Sequence, residues 1–495
     1  MHLTIRTWPI GLILLLLAPA GTSRAEDRTD RDVSTAASVP WHAPDLGAYT
    51  KVLRSVESSP IDPQKEYELP ELVDLAERLN PETRVAWERA RQAAIAVGLV
   101  QSEYSPVLAL SALGGYHSEA FAAPKDVAPS GYFRVDLEQV RPTLSLRWLL
   151  LDFGRRGGAL DAAKERLLAA NLGFNRKHQE IVYRVQRAFI ALTSLEAKIA
   201  VAQSAVDSAR AVREAAESRL QNGLATLPEV ALARQQEAQA AFDLEDVLSR
   251  QRDAQVKLAD SIGVAPTTPI PVTDASALPA PSALEESVEK VIDRAFERRP
   301  DLIARVAALR VKEADVRRAR ADYYPTLALV GDFGILTGRH RVTGGNLPTG
   351  WFGATKPGYG IGLAIQWNLF DGGAKRRRVE LAEAERRAAE SEVTEARDHA
   401  VSEVWTAYTD VKLAVRRLDT AAALVDASQK SYEATLGSYR QGLETLTNLL
   451  VARRELSQAR FVELDTRLQL FDASAALAFS TGEATPRAAG AAIAK

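Results

Sequence analysis

A single displacement relates one half of this chain to the other. Pro81 aligns with Pro300, 219 positions further on, and the same shift carries Tyr104 onto Tyr323, Pro106 onto Pro325, Trp148 onto Trp367, Asp152 onto Asp371 and Gly154 onto Gly373. It also pairs Leu108-Ala109-Leu110 with Leu327-Ala328-Leu329, Gly223-Leu224 with Gly442-Leu443, Arg234 with Arg453 and Gly263 with Gly482. No gap is needed, and chance does not hold one register over so long a stretch. The chain is therefore an internal duplication, with the same elements occurring twice in the same order. It divides into a first repeat at 68–264, a Pro- and Ala-rich linker at 265–282 and a second repeat at 283–483. A segment at 26–67 is expected to be partly disordered, and a tail at 484–495 disordered.

Within each repeat the hydrophobic period changes in a fixed order. Short helices at 69–79 and 287–298 precede Pro81 and Pro300, residues suited to the first turn of a second helix that runs to about Tyr104 or Tyr323. Pro106 and Pro325 end that helix, and the period falls to two. After Gly358, the residues Tyr359, Ile361, Leu363, Ile365, Trp367 and Leu369 share one side, and Gly360, Gly362, Ala364, Gln366 and Asn368 the other. Leu144, Leu146, Trp148 and Leu150 stand likewise against Thr143, Ser145 and Arg147. Leu108 and Leu110, and Leu327, Leu329, Phe333 and Ile335, complete the pattern on the partner strands. Each repeat thus holds one β-hairpin, at about 105–151 and about 325–370, closed by a loop of about twenty residues. His117 and His340 are expected in those external loops.

A long helix follows each hairpin, from about Arg156 to Gln221 and from Lys375 to Gln441, without Pro and rich in Ala, Glu, Arg and Leu. Val401, Val404, Tyr408, Val411, Val415 and Leu418 step by three and four, and Val182, Val185, Phe189, Leu192 and Ile199 repeat that seam except at Glu196, which stands where the second half has Val415; both predict coiled-coil helices. Between strand and helix lie Asp152-Phe153-Gly154 and Asp371-Gly372-Gly373. There Asp suits an N-cap, and Gly154, Gly372 and Gly373 suit a tight passage. Gly223 and Gly442 turn the chain into a fourth helix, which returns to Gly263 or Gly482.

Composition narrows the classes. Formal charge is −2 with no basic stripe, which argues against nucleic acid as a partner. Cysteine is absent, so disulfides, thiolate metal sites and a lipid-modified N-terminal Cys are excluded. The six histidines are scattered, with no metal-ligand spacing and no convergent polar site, so neither enzyme chemistry nor a cofactor or metal is expected. His2 and Arg6, the apolar run from Ile10 to Leu17 and Ser23-Arg24-Ala25 read as an export signal at 1–25. No later segment offers an apolar run long enough to span a bilayer.

An exported chain whose strands alternate apolar and polar over about ten residues suits an outer membrane, where strands are tilted. Tyr104, Trp148, Tyr323, Tyr324 and Trp367 sit at one boundary of those strands, as an interfacial aromatic girdle would. In hydrocarbon every backbone N–H and C=O must be paired, so an open sheet of four strands has to close by association. Three copies give twelve strands and leave a lumen. The fold expected is thus mainly α with a transmembrane β-barrel in outer-membrane lipid: a trimeric twelve-stranded barrel with long coiled-coil helices attached to its strands.

Trp367-Asn368-Leu369-Phe370-Asp371-Gly372-Gly373, the Tyr324-Pro325 junction, Arg298-Arg299-Pro300-Asp301-Leu302 and the paired Gly-Leu turns resemble the TolC-type outer-membrane efflux proteins over roughly 68–483. The resemblance implies a homotrimeric exit duct of a tripartite efflux or type I secretion system, its twelve-stranded barrel continued by a periplasmic α-barrel. It implies docking by a periplasmic adaptor that links the duct to an inner-membrane pump of RND, ABC or MFS type. Gly223, Leu224, Gly442 and Leu443 match the hairpin tips that engage the adaptor, and Glu229, Tyr439 and Glu444 fall where family members hold a periplasmic constriction. The usual latch is not intact, since Glu444 stands in the place of Arg, and Asn448 and Val451 in places where Asp is found. The rival reading is a soluble periplasmic coiled-coil protein, such as an adaptor; adaptors need a lipoyl-like module, and these halves insert one hairpin each instead.

Overall fold

The computed structural model describes residues 61–273, 286–346 and 349–484, together with Ser38. The expected signal peptide, the rest of the segment before Ile61, the linker from 274 to 285 and the tail from 485 lie outside the described residues. The unit that begins at Ile61 is mainly helical. Its elements in order are α1 (Leu69–Leu79), α2 (Pro81–Ser102), β1 (Val107–Ala122), β2 (Tyr132–Leu151), α3 (Arg155–Gln221), α4 (Leu227–Ile262), α5 (Val288–Arg298), α6 (Pro300–Ala321), β3 (Thr326–Thr343), β4 (Phe352–Gln366), α7 (Ala374–Arg440) and α8 (Leu446–Ser480). The second six repeat the first six. α3 and α7 each run 67 residues, which at the α-helical rise is about 100 Å.

The two halves share a core position by position. On α1, Leu72, Val73 and Ala76 pack against Val182, Val185, Phe189 and Leu192 of α3 and Leu258 and Ile262 of α4. In the second half Val291 and Ala295 of α5 meet Val404 and Tyr408 of α7. Each Val, Leu, Ile or Phe among them taken fully from water contributes about 1.5–3 kcal/mol. Where Tyr408 replaces Phe189, its hydroxyl donates to Glu286 O at 2.8 Å, so the polar end is satisfied. Further along the seams, Ile199, Val401, Val415 and Leu418 are only half-buried. The first residues after α4 also join the core, because Tyr67 and Val272 form a parallel bridge and Ile270 is buried.

α4 and α8 end at Gly263 and Gly482, both at positive φ. A Cβ on Gly263 would stand 2.8 Å from Asn80 Cα, and one on Gly482 would stand 2.7 Å from Arg298 O. The junction between α1 and α2, and its counterpart between α5 and α6, therefore close directly on the helix C-termini. There Asn80 donates to Ser261 O at 2.9 Å, and Arg299, its counterpart, donates to Ser480 O at 3.3 Å. Arg299 is buried and also binds Asp301 at 2.7 Å and Glu403 at 2.6 Å. Burial pushes the Asp301 carboxyl up, but Arg299 and Arg176 outweigh it and hold the group below its usual 3.8. A carboxyl depressed in the folded state stabilises fully above its unfolded pKa and loses that contribution as pH falls through the folded value. Stability is therefore expected to fall as pH drops below about 4. Asp301→Asn should flatten that part of a melting-temperature profile, and a profile unchanged by the substitution would contradict this assignment.

The four strands form one antiparallel sheet in the order β1-β2-β3-β4. Its register places Leu110, Leu144, Phe333 and Tyr359 in one row across all four strands, and Leu108, Leu146, Gly331 and Ile361 in the next row on that side. Trp148, Leu329 and Leu363 follow. The opposite side carries Ala109, Ser145, Asp332 and Gly360 in one row and Ser111, Thr143, Gly334 and Gly358 in another. Alternation along single strands thus becomes an apolar face four strands wide.

Several expectations need correction. The hairpins are not closed by loops of about twenty residues: β1 and β2 are separated only by 123–131, and β3 and β4 only by 344–351. Backbone pairing continues beyond the apolar band because the distal residues satisfy one another across strands. Glu138 pairs with Arg339, and Asp136 is buried between Tyr116, Ser118 and Arg341. For the same reason His117 and His340 lie in β1 and β3 rather than in loops. At the other end β4 stops at Gln366, so Trp367 and Leu369 follow the strand instead of belonging to it. α3 also contains a stretch long and apolar enough, by length and composition, to cross a membrane. That helix supplies the core seam at Val182 to Leu192.

Candidate functional site

Three places follow from this arrangement: the sheet edges, the passage from strand to helix, and the helical tips. At the edges, β1 is exposed along all 16 of its residues. On β4, Tyr359, Ile361, Leu363 and Ile365 are 65–87% exposed. A long edge with unpaired backbone groups and apolar side chains is a template for another strand.

At the passage, the indole N–H of Trp148 donates to Tyr104 O at 2.8 Å and that of Trp367 to Tyr323 O at 3.0 Å. The same bond recurs in both halves and ties the strand end to the end of α2 or α6. Trp148, Trp367, Tyr104, Tyr323 and Tyr324 are all at least 39% exposed, at one boundary of the sheet. Asp152 is buried and accepts from Gly154 N at 3.3 Å, Arg156 N at 3.0 Å and Arg156 Nε at 2.8 Å. Arg156 also donates to Leu149 O at 2.8 Å and lies over the Tyr104 ring at 4.5 Å. In the second half Asp371 accepts from Lys375 N at 3.0 Å, and the Lys375 ammonium reaches Asn368 O. Gly154 and Gly373, at positive φ, occupy the N-cap positions of α3 and α7, so each Asp caps from two residues upstream.

The two passages differ at one step. Phe153 is the only non-Gly residue at positive φ among the described residues, and its counterpart is Gly372. Such a conformation costs an L-residue about 1–2 kcal/mol. The Phe153 ring stacks on Tyr324 at 5.1 Å, and the counterpart of Tyr324 is Ser105.

The tips are tight turns built alike. Gly223 and Gly442 adopt φ of 68° and 75°, and Leu224 N and Leu443 N donate back to Arg219 O at 2.7 Å and Ser438 O at 2.9 Å. Leu224 and Leu443 are left 68% and 75% exposed, so each turn presents one bare apolar side chain. The expected constriction residues are placed differently from one another. Glu229 accepts from Thr226 N at 3.0 Å and closes the capping box of α4. Glu444 accepts from Asn448 Nδ2 at 2.7 Å. Among the described residues no hydrogen bond or ion pair joins either acid to the other tip. Tyr439 packs beside Ala216, Val230 and Leu446.

Sequence reasoning missed Arg219. Its guanidinium donates to Tyr439 Oη at 2.9 Å and to Leu224 O at 3.3 Å, so it fastens the first tip to the second. The one signal for it was a break in the repeat, since its counterpart is Ser438. Among the described residues no group of His, Asp and Glu stands where a metal could be held.

Comparison with known proteins agrees with this geometry. Residues 72–264 and 291–483 both match the family model described as outer membrane efflux protein. Protein CyaE of Bordetella pertussis is 27% identical over 425 residues, covering 86% of each chain. Outer membrane protein OprJ of Pseudomonas aeruginosa is 24% identical over 323 residues, covering 64% of this chain and 65% of that one. The solved outer-membrane channel OprN shares the fold, with a TM-score of 0.68 at 22% identity, covering 86% of this chain and 94% of that one.

Proposed function

The chain belongs to the outer membrane efflux protein family, and from that premise we propose that three copies close their sheets edge to edge into a twelve-stranded barrel, the outer end of a continuous exit duct. The protein is an outer-membrane channel that works with a periplasmic adaptor and an inner-membrane pump. What carries the trimeric reading is the pair of free edges, β1 and β4, on a sheet whose apolar face is four strands wide. In hydrocarbon those edges have to be paired, and the β4 edge of one copy meets the β1 edge of the next. Residues 1–25 serve as a cleaved export signal, and membrane attachment comes from the barrel without a lipid anchor. The pump is of RND, ABC or MFS type.

The tips at Leu224 and Leu443 receive the adaptor. They expose apolar side chains on turns fixed by backbone bonds, a form of contact that needs no rearrangement of the fold. Leu224→Asp with Leu443→Asp is expected to leave assembly and melting temperature unchanged and to reduce export at least tenfold, the loss expected when an apolar anchor worth about 2 kcal/mol is removed at each contact. Export at the wild-type rate would refute the assignment. Crosslinking from cysteines placed at these two positions identifies the adaptor directly. Glu229, Tyr439 and Glu444 narrow the periplasmic end, with Arg219 as the clasp between tips.

A further inference from the structure

The face of the sheet opposite the apolar band carries a charge pattern that the duct reading does not require. From the continuous register, Leu113, Arg141, Leu336 and Lys356 occupy one row across the four strands, on the face shared by Thr143, Ser145, Gly358 and Gly360. Arg141 and Lys356 are both exposed, and among the described residues neither forms an ion pair. Among the described side chains, the rows on either side of them on that face hold only Gly115, Gln139 and Gly338 above, and Ser111, Thr143, Gly334 and Gly358 below. The nearest acid on the face below this row is Asp332, four residues along β3 and therefore about 14 Å away along the strand. Arg147 lies close to Asp332, one row apart on adjoining strands. On the other face Arg339 and Arg341 are paired with Glu138 and Asp136, and Arg134, near the distal end of β2, is an exposed cation without an ion pair among the described residues. Arg141 and Lys356 differ in sharing one row, on the side that the barrel reading turns to the lumen.

We infer that Arg141 and Lys356 form a cationic collar in the lumen of the transmembrane barrel, which draws in small anions, carboxylates and sulfonates among them, and repels cations. The inference rests on the trimeric reading, which turns two cations per chain into six in one ring. Strands β2 and β4 are two ladder spacings apart, so neighbouring charges stand about 10 Å from each other. Their repulsion in water is about 0.4 kcal/mol per pair, small enough for an aqueous lumen to hold them all charged. Twelve tilted strands put the wall about 12 Å from the axis. That distance is close to the ~10 Å screening length at 0.1 M salt, so the collar's potential reaches the middle of the duct there and is confined to the wall at 1 M.

The chain has no cysteine, so one introduced thiol reads the local potential. Thr143→Cys places it on the lumen face beside the collar, and Leu144→Cys places it on the apolar face. The full-length oligomer in lipid vesicles is treated with two methanethiosulfonates that differ only in bearing a sulfonate or a trimethylammonium group. At Thr143→Cys the sulfonate is expected to react faster by on the order of tenfold at 0.01 M salt, as a wall potential of about one kT per charge would give. The ratio should fall toward one at 1 M, and should fall similarly at low salt in Arg141→Gln/Lys356→Gln. Leu144→Cys should resist both reagents. If both positions react alike, the barrel reading itself fails. If Thr143→Cys alone reacts, but with a ratio near one, a preference for the cation or no response to salt, the collar is refuted while the barrel stands. Should the double variant not assemble, the salt dependence in the Thr143→Cys background decides.

Discussion

Leu363→Arg is expected to abolish the membrane-inserted oligomer, while Gly362→Ser at the adjacent position leaves it intact. Leu363 is 65% exposed in the isolated chain and lies within the apolar face, four residues before Trp367 and so about 10 Å inside the girdle along a tilted strand. A lipid-facing Arg near the bilayer mid-plane costs about 2–4 kcal/mol, and the cost recurs in every copy of a trimer. Gly362 faces the other way, and a Cβ there meets nothing within 4 Å. The measurement is the yield of heat-modifiable oligomer in the outer-membrane fraction. Equal yields would mean that the apolar face is not turned to lipid, and a soluble coiled-coil protein would become the better reading.

The second large effect is expected at Asp152→Ala. Arg156 has a side chain only 7% exposed, and Asp152 is its counter-charge. Without Asp152 the guanidinium keeps carbonyl acceptors at Leu149 and Glu103 but loses the negative charge. An unpaired cation at a buried site costs about 3–5 kcal/mol. The matched substitution Asp371→Ala removes mainly a cap, because Lys375 is only half-buried and its ammonium is held by Asn368 O. That loss is about 0.5–2 kcal/mol. The melting temperature of the solubilised protein should therefore drop several-fold further for Asp152→Ala than for Asp371→Ala. Equal drops would show that the buried pair adds nothing beyond capping.

The difference between those two aspartates marks the boundary of what could be read from residues alone. The duplication, the order of elements and the change from helical to strand period were legible because each depends on local spacing. The apolar face was legible too, since Tyr359, Ile361, Leu363 and Ile365 alternate without interruption. The length of the strands was not. Glu138–Arg339 and Asp136–Arg341 hold the distal pairing across strands some 200 residues apart in sequence, and a charged stretch rich in Gly looks like a loop until its partner is known. Arg219 was hidden for the same reason, because its bond to Tyr439 joins separate hairpins. At Glu229 and Glu444 the local role was as hidden as the distant one: both acids, proposed to narrow the duct, also serve the nearest helix start.

Phe153 stacks on Tyr324 within one chain, whereas Gly372 and Ser105, their counterparts, have no rings to stack. In a closed ring of three copies the Gly372 passage of one copy would stand beside the Ser105 of the next. Around the waist of the molecule, joints clasped by aromatic rings would then alternate with joints made of glycine. Such a collar is stiff at three points and yielding at three, so a twist applied to the helices from below would be taken up between subunits, and each subunit would turn as a rigid stave.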